Sequence, residues 1–68
     1  MNTTVAAVIV TFNRKKLLLK NIEMCLYQQR HIDKIIIIDN HSEDGTREFI
    51  LKNIKEKDLA LIDYVYLV

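Results

Sequence analysis

The sequence predicts an α/β fold, a Rossmann-like β-α-β-α-β half with parallel strands. Three observations predict it. Two segments, residues 5–12 and the isoleucines Ile35, Ile36, Ile37 and Ile38, are short, β-branched and apolar at consecutive positions. That is the pattern of strands in a parallel sheet with helices on each side. Between them, residues 14–29 contain neither Gly nor Pro and place Leu18, Ile22, Cys25 and Leu26 at offsets of four, seven and eight, which is one face of a helix. A third apolar stretch, residues 60–68, follows a second helical pattern, so strands and helices alternate along the chain.

Each element has its own justification. The first strand, residues 5–12, leads into Asn13, a residue type whose side-chain oxygen caps an orphan backbone N–H at a helix start. The first helix then covers residues 14–29, with Leu19 widening the apolar stripe and Lys15, Lys16, Lys20 and Glu23 on the other side. Arg30, His31, Ile32 and Asp33 form a polar break. The second strand, residues 34–39, is too short for a buried helix and suits the centre of a parallel sheet. Residues 40–46 are the longest polar segment and hold the single glycine, Gly45, so they form a loop with Ser42 or Asp44 as helix cap. The second helix is expected over residues 46–57, burying Phe49, Ile50 and Ile54, and the third strand over residues 60–68. Right-handed crossovers lay the strands in the order 3-2-1.

Composition narrows the classes. Half of the 68 residues are hydrophobic, enough for one core and not for two domains. Ten basic against nine acidic residues give a net charge of +1, which disfavours a nucleic-acid partner, because such binders concentrate a basic excess on phosphates. The single cysteine, Cys25, forms no internal disulfide, so a reducing, cytoplasmic setting is expected. The longest apolar run, residues 5–10, is far below the roughly 20 residues that span a bilayer, and no basic leader precedes it. A parallel sheet with bare edges reads as incomplete. Residues 1–68 are therefore expected to be the N-terminal fragment of one domain, prone to self-association through its exposed edges.

In a parallel sheet the loops after the first and second strands open on the same rim, where open α/β folds bind ligands. Thr11, Phe12, Asn13 and Arg14 thus face the segment from Asp39 to Asp44. Asp39 ends a buried strand; its carboxylate either accepts from a ribose hydroxyl or a base N–H, or serves only the backbone of the following turn. Phe12 either stacks on a flat base or packs in the core. Arg14, at a helix start, either holds a phosphate or lies in a solvated first turn. Ser42 and Asp44 read as helix caps. The first loop has no Gly, so it is not the G-x-G-x-x-G turn of dinucleotide binders. Neither a P-loop nor a serine–histidine pair is present, and His31, His41 and Cys25 are not spaced as a metal site. The residues bind without an evident catalytic group.

Taken together, Val8-Ile9-Val10-Thr11-Phe12-Asn13-Arg14 and Ile35-Ile36-Ile37-Ile38-Asp39-Asn40-His41-Ser42-Glu43-Asp44-Gly45-Thr46 resemble the opening of the family 2 glycosyltransferases, inverting enzymes that use nucleotide-activated sugars. The resemblance covers the chain from Thr4 onward. It implies a nucleotide-diphospho-sugar transferase fold and residues 1–68 as part of a nucleotide-sugar-binding domain. Its implied partners are a nucleotide-diphospho-sugar donor and a saccharide or other hydroxyl acceptor, with peripheral membrane association open for the longer protein. Carried over, Thr11 and Phe12 line the base, Asp39 bonds the base or ribose, and Arg14 lies toward the diphosphate, while Asn13, Ser42 and Asp44 hold motif positions of mainly structural role. The resemblance also implies a divalent metal, Mg or Mn, whose Asp-x-Asp ligands and whose partner base lie outside these residues, so the segment alone is expected to be inactive. Asp39→Ala is expected to weaken donor binding roughly 10- to 150-fold with the fold intact. Rival classes are another α/β nucleotide enzyme, such as a nucleotidyltransferase or a degenerate dinucleotide binder, and a small non-enzymatic binding or oligomerisation module.

Overall fold

Strand β1 (Ala6–Thr11) is followed by helix α1 (Lys15–Gln28), strand β2 (Lys34–Asp39), helix α2 (Thr46–Asn53), the short helix α3 (Glu56–Leu59) and strand β3 (Ile62–Tyr66). The computed structural model describes residues 5–28 and 32–68; the expected end of the first helix at Gln29 and the Arg30 and His31 part of the polar break lie outside the described residues. The order β1-β2-β3 and the parallel pairing on both sides of β2 are those expected. Four consecutive isoleucines occupy the central strand because that position has a ladder on each side and demands β-branched packing.

The registers decide which side chains share a face. Ile9 lies opposite Ile37 and Ile37 opposite Tyr64, while Val10 lies opposite Ile38 and Ile38 opposite Val65. The first row meets the helices: Leu18 and Ile22 of α1, Ile35 and Ile37 of β2, Ile50 of α2 and Ile54 form the buried core, with Ile9, Phe49, Ile62 and Tyr64 packed against it. The second row is uncovered. Val8 is 61% and Val10 70% exposed, which corrects the expectation of helices on each side. Two right-handed crossovers moving the same way across a sheet put both helices on one face.

The second helix also differs from expectation. It ends at Asn53 instead of Lys57, because Ile54 turns to extended backbone (φ −107°, ψ 138°) and Lys55 stays extended before α3 begins. The change of direction lets Ile54 bury its side chain at 7% exposure. The Asn53 side-chain amide donates to the Phe49 carbonyl one turn back at 2.7 Å, so the last residue of the helix also bonds the helix through its side chain. Strand β3 is correspondingly shorter than residues 60–68.

Candidate functional site

Thr11 and Asp39 are partners across the β1–β2 ladder, so the chain leaves both strands at the same rim. The two loops are stitched to each other. Asn40 N–H donates to the Thr11 carbonyl at 2.9 Å, Asn13 N–H to Ser42 Oγ at 2.8 Å, and Glu43 N–H to Asn13 Oδ1 at 2.7 Å. Asn13 sits at φ 49° and His41 at φ 66°, left-handed positions that Asn and His adopt more readily than most residues.

Of the helix caps expected of these residues, the Asp44 oxygen crosses to the other loop's helix and none is made at the start of α2. Asn13 uses its oxygen on Glu43, and Asp44 instead reaches the start of α1, accepting from Lys15 N–H at 3.4 Å while its own carbonyl accepts from Lys15 Nζ at 3.0 Å. The N-cap of α2 is Gly45, with no side-chain cap bond. Asp44 also accepts from the Thr46 hydroxyl. That bond first, and the Lys15 N–H after it, hold the Asp44 carboxyl below its ordinary value against the opposing effect of burial.

Asp39 is 1% exposed. Its Oδ1 accepts from Ser42 N–H at 2.8 Å and its Oδ2 from the Tyr64 hydroxyl. Burial, then the hydrogen bond and charge of Asp39, push the Tyr64 phenol above the ordinary tyrosine range. Among the described residues no cation is paired with Asp39, and these two groups are its hydrogen-bond donors. Tyr66, one pleat further along β3, donates to the Ser42 carbonyl at 3.2 Å and lies 3.2 Å from His41 Nδ1.

Two clefts open on this rim. One of about 410 Å³ is lined by Thr11, Phe12, Arg14, Leu17, Asn21 and Asn40. The other, of about 340 Å³, is bordered by Asp39, Ser42, Gly45, Thr46, Arg47 and Tyr66. Thr11, Phe12 and Arg14 are therefore brought together, and Asp39 borders the neighbouring cleft. Phe12 is 53% exposed, so core packing does not account for it. Asn21, Tyr64 and Tyr66 reach the rim unannounced. The signal available for the tyrosines was their i, i+2 spacing in a strand parallel to β2, which puts both on one face near Asp39.

No cluster of three or more His, Cys, Asp or Glu suited to a metal ion exists among the described residues, so the divalent ion implied by the resemblance finds no ligand set among them. No helix of the described residues is long and apolar enough to cross a membrane. No curated protein and no solved structure matches the chain. A family model described as Glycosyl transferase family 2 matches residues 6–65, from the start of β1 into β3 and through both rim loops, and the chain belongs to that family.

Proposed function

We propose that this rim holds the nucleotide of a nucleotide-diphospho-sugar donor in an inverting glycosyl transfer. The observation that carries the proposal is the convergence, at one sheet edge, of an exposed aromatic ring, a guanidinium and a buried carboxylate. Phe12 and Arg14 line one cleft with Thr11, and Asp39 borders the next, one ladder partner away. A base stacks on Phe12 and against Thr11. Asp39 accepts from a base N–H or a ribose hydroxyl with the lone pairs that Ser42 and Tyr64 leave free. The Arg14 guanidinium, at the start of α1, faces the diphosphate, which is also the leaving group.

In the transfer, the acceptor hydroxyl loses its proton to a carboxylate base, its oxygen attacks the anomeric carbon from the face opposite the diphosphate, and the bond to the diphosphate breaks. None of the rim side chains is proposed as that base. Membership of the family and the Gly-free first loop, unsuited to a dinucleotide, both support donor binding over the rival nucleotide chemistries. The test is calorimetric titration of the intact protein with UDP-, GDP- and dTDP-sugars. Saturable binding of at least one is expected, and heats indistinguishable from dilution for all of them overturn the proposal.

A further inference from the structure

Asp39 is held on both sides. A carboxylate torsion is broad and roughly two-fold, so a single hydrogen bond fixes one oxygen while leaving the plane free to turn. Here Ser42 N–H takes Oδ1 and the Tyr64 hydroxyl takes Oδ2. The first donor belongs to a loop; the second is mounted on a strand. Tyr64 pairs in register with Ile37, packs on the buried core, and has the Arg47 guanidinium 5.9 Å from its ring centroid. Its hydroxyl is therefore placed by rigid elements instead of by the loop it supports.

We propose that Tyr64 is a positioning residue for ligand binding, fixing the plane of the Asp39 carboxylate so that its remaining acceptor positions meet a nucleotide in the adjoining cleft. A carboxylate offers about four lone-pair positions, and the two internal bonds use one on each oxygen. The remaining two belong to a carboxylate that lines the cleft while only 1% exposed, so a ligand N–H or hydroxyl meets them only at the orientation the internal bonds set. The proposal rests on the donor-binding function above.

The test is a double-mutant cycle in the intact protein: wild type, Tyr64→Phe, Asp39→Ala and the double variant, each titrated calorimetrically with UDP, GDP and dTDP and checked by circular dichroism. Tyr64→Phe should weaken the best-bound nucleotide about tenfold, and should change affinity less than about twofold once Asp39 is already Ala, because a residue that acts through another has nothing left to act on. Equal affinity of wild type and Tyr64→Phe overturns the proposal, as does a tenfold loss in both backgrounds. A wild type that binds none of the three nucleotides overturns this proposal and the transferase function together, whereas a binding wild type with an unaffected Tyr64→Phe overturns positioning alone. Should the variants not fold, 3-fluorotyrosine at position 64 replaces them. Its ¹⁹F resonance should move on nucleotide saturation, and an unmoved resonance overturns the proposal.

Discussion

Asn13 and Ser42 bind the two rim loops from across 29 residues of sequence: the Asn13 N–H donates to Ser42 Oγ at 2.8 Å, and the residue after Ser42 donates its own N–H back to Asn13 Oδ1 at 2.7 Å. Each loop thus satisfies a backbone donor of the other. Ser42 is 8% exposed, and its bond to the Asn13 N–H is part-buried.

Ser42→Ala removes the acceptor and leaves the Asn13 N–H short of a partner. The expected loss is about 1–2 kcal/mol of unfolding free energy, within the range for a part-buried donor left unsatisfied. Urea unfolding of the intact protein measures it. A change below about 0.3 kcal/mol would show that water replaces Oγ and that the stitch is not a stabilising element.

Gly45→Ala tests backbone strain separately from packing. Gly45 lies at φ 75°, and a Cβ there would meet nothing nearer than Glu48 Oε2 at 3.9 Å. The cost should therefore be conformational alone, about 1–2 kcal/mol. Gly45→Asn should recover part of it, since Asn tolerates the left-handed region better than Ala. Equal stability of the two variants would contradict this account.

Asp44 gives a pH dependence with a definite sign. Its folded carboxyl titrates below its ordinary value, so the loop–helix tie contributes stability fully above the unfolded value of about 3.9 and loses it as pH falls through the folded value. Acid unfolding of Asp44→Asn should accordingly lack that component and fall less steeply below about pH 4 than wild type. Superimposable acid limbs would show that the Thr46 and Lys15 contacts do not bias the proton.

The strand order was legible because four isoleucines in a row admit little besides a central parallel strand, and the rim followed from the parallel order alone. The crossing of the Asp44 cap to α1 was not. Lys15 and Asp44 are 29 residues apart, and nothing local in Asp44-Gly45-Thr46 distinguishes an oxygen that caps its own helix from one that reaches α1. Nor did residues 46–57 hold a Gly or Pro to mark the break at Ile54, which is set by burial of that side chain. One-sided cover was equally hidden, because Val8 and Val10 look the same in sequence whether or not anything packs on them.

The structure also reverses which substitution is the cleaner probe of the nucleotide. From the sequence, Asp39→Ala leaves the fold intact, whereas Phe12 is open between base stacking and core packing. Asp39 is instead buried under two internal hydrogen bonds, so Asp39→Ala strands the Ser42 N–H and the Tyr64 hydroxyl and should cost about 2–4 kcal/mol of stability besides any affinity. Phe12 is 53% exposed, and its truncation uncovers little core. Stacking of a base on an aromatic ring is worth about 1–3 kcal/mol, which is roughly 5- to 150-fold in affinity. Phe12→Ala should therefore lower nucleotide affinity by that factor while shifting the urea midpoint little, and Phe12→Tyr should restore it. Calorimetry with the tightest-binding nucleotide, beside urea unfolding of the same samples, checks both halves. A folded Phe12→Ala protein with wild-type affinity would remove Phe12 from the base site and leave the cleft beside Thr11 and Arg14 without its stacking surface.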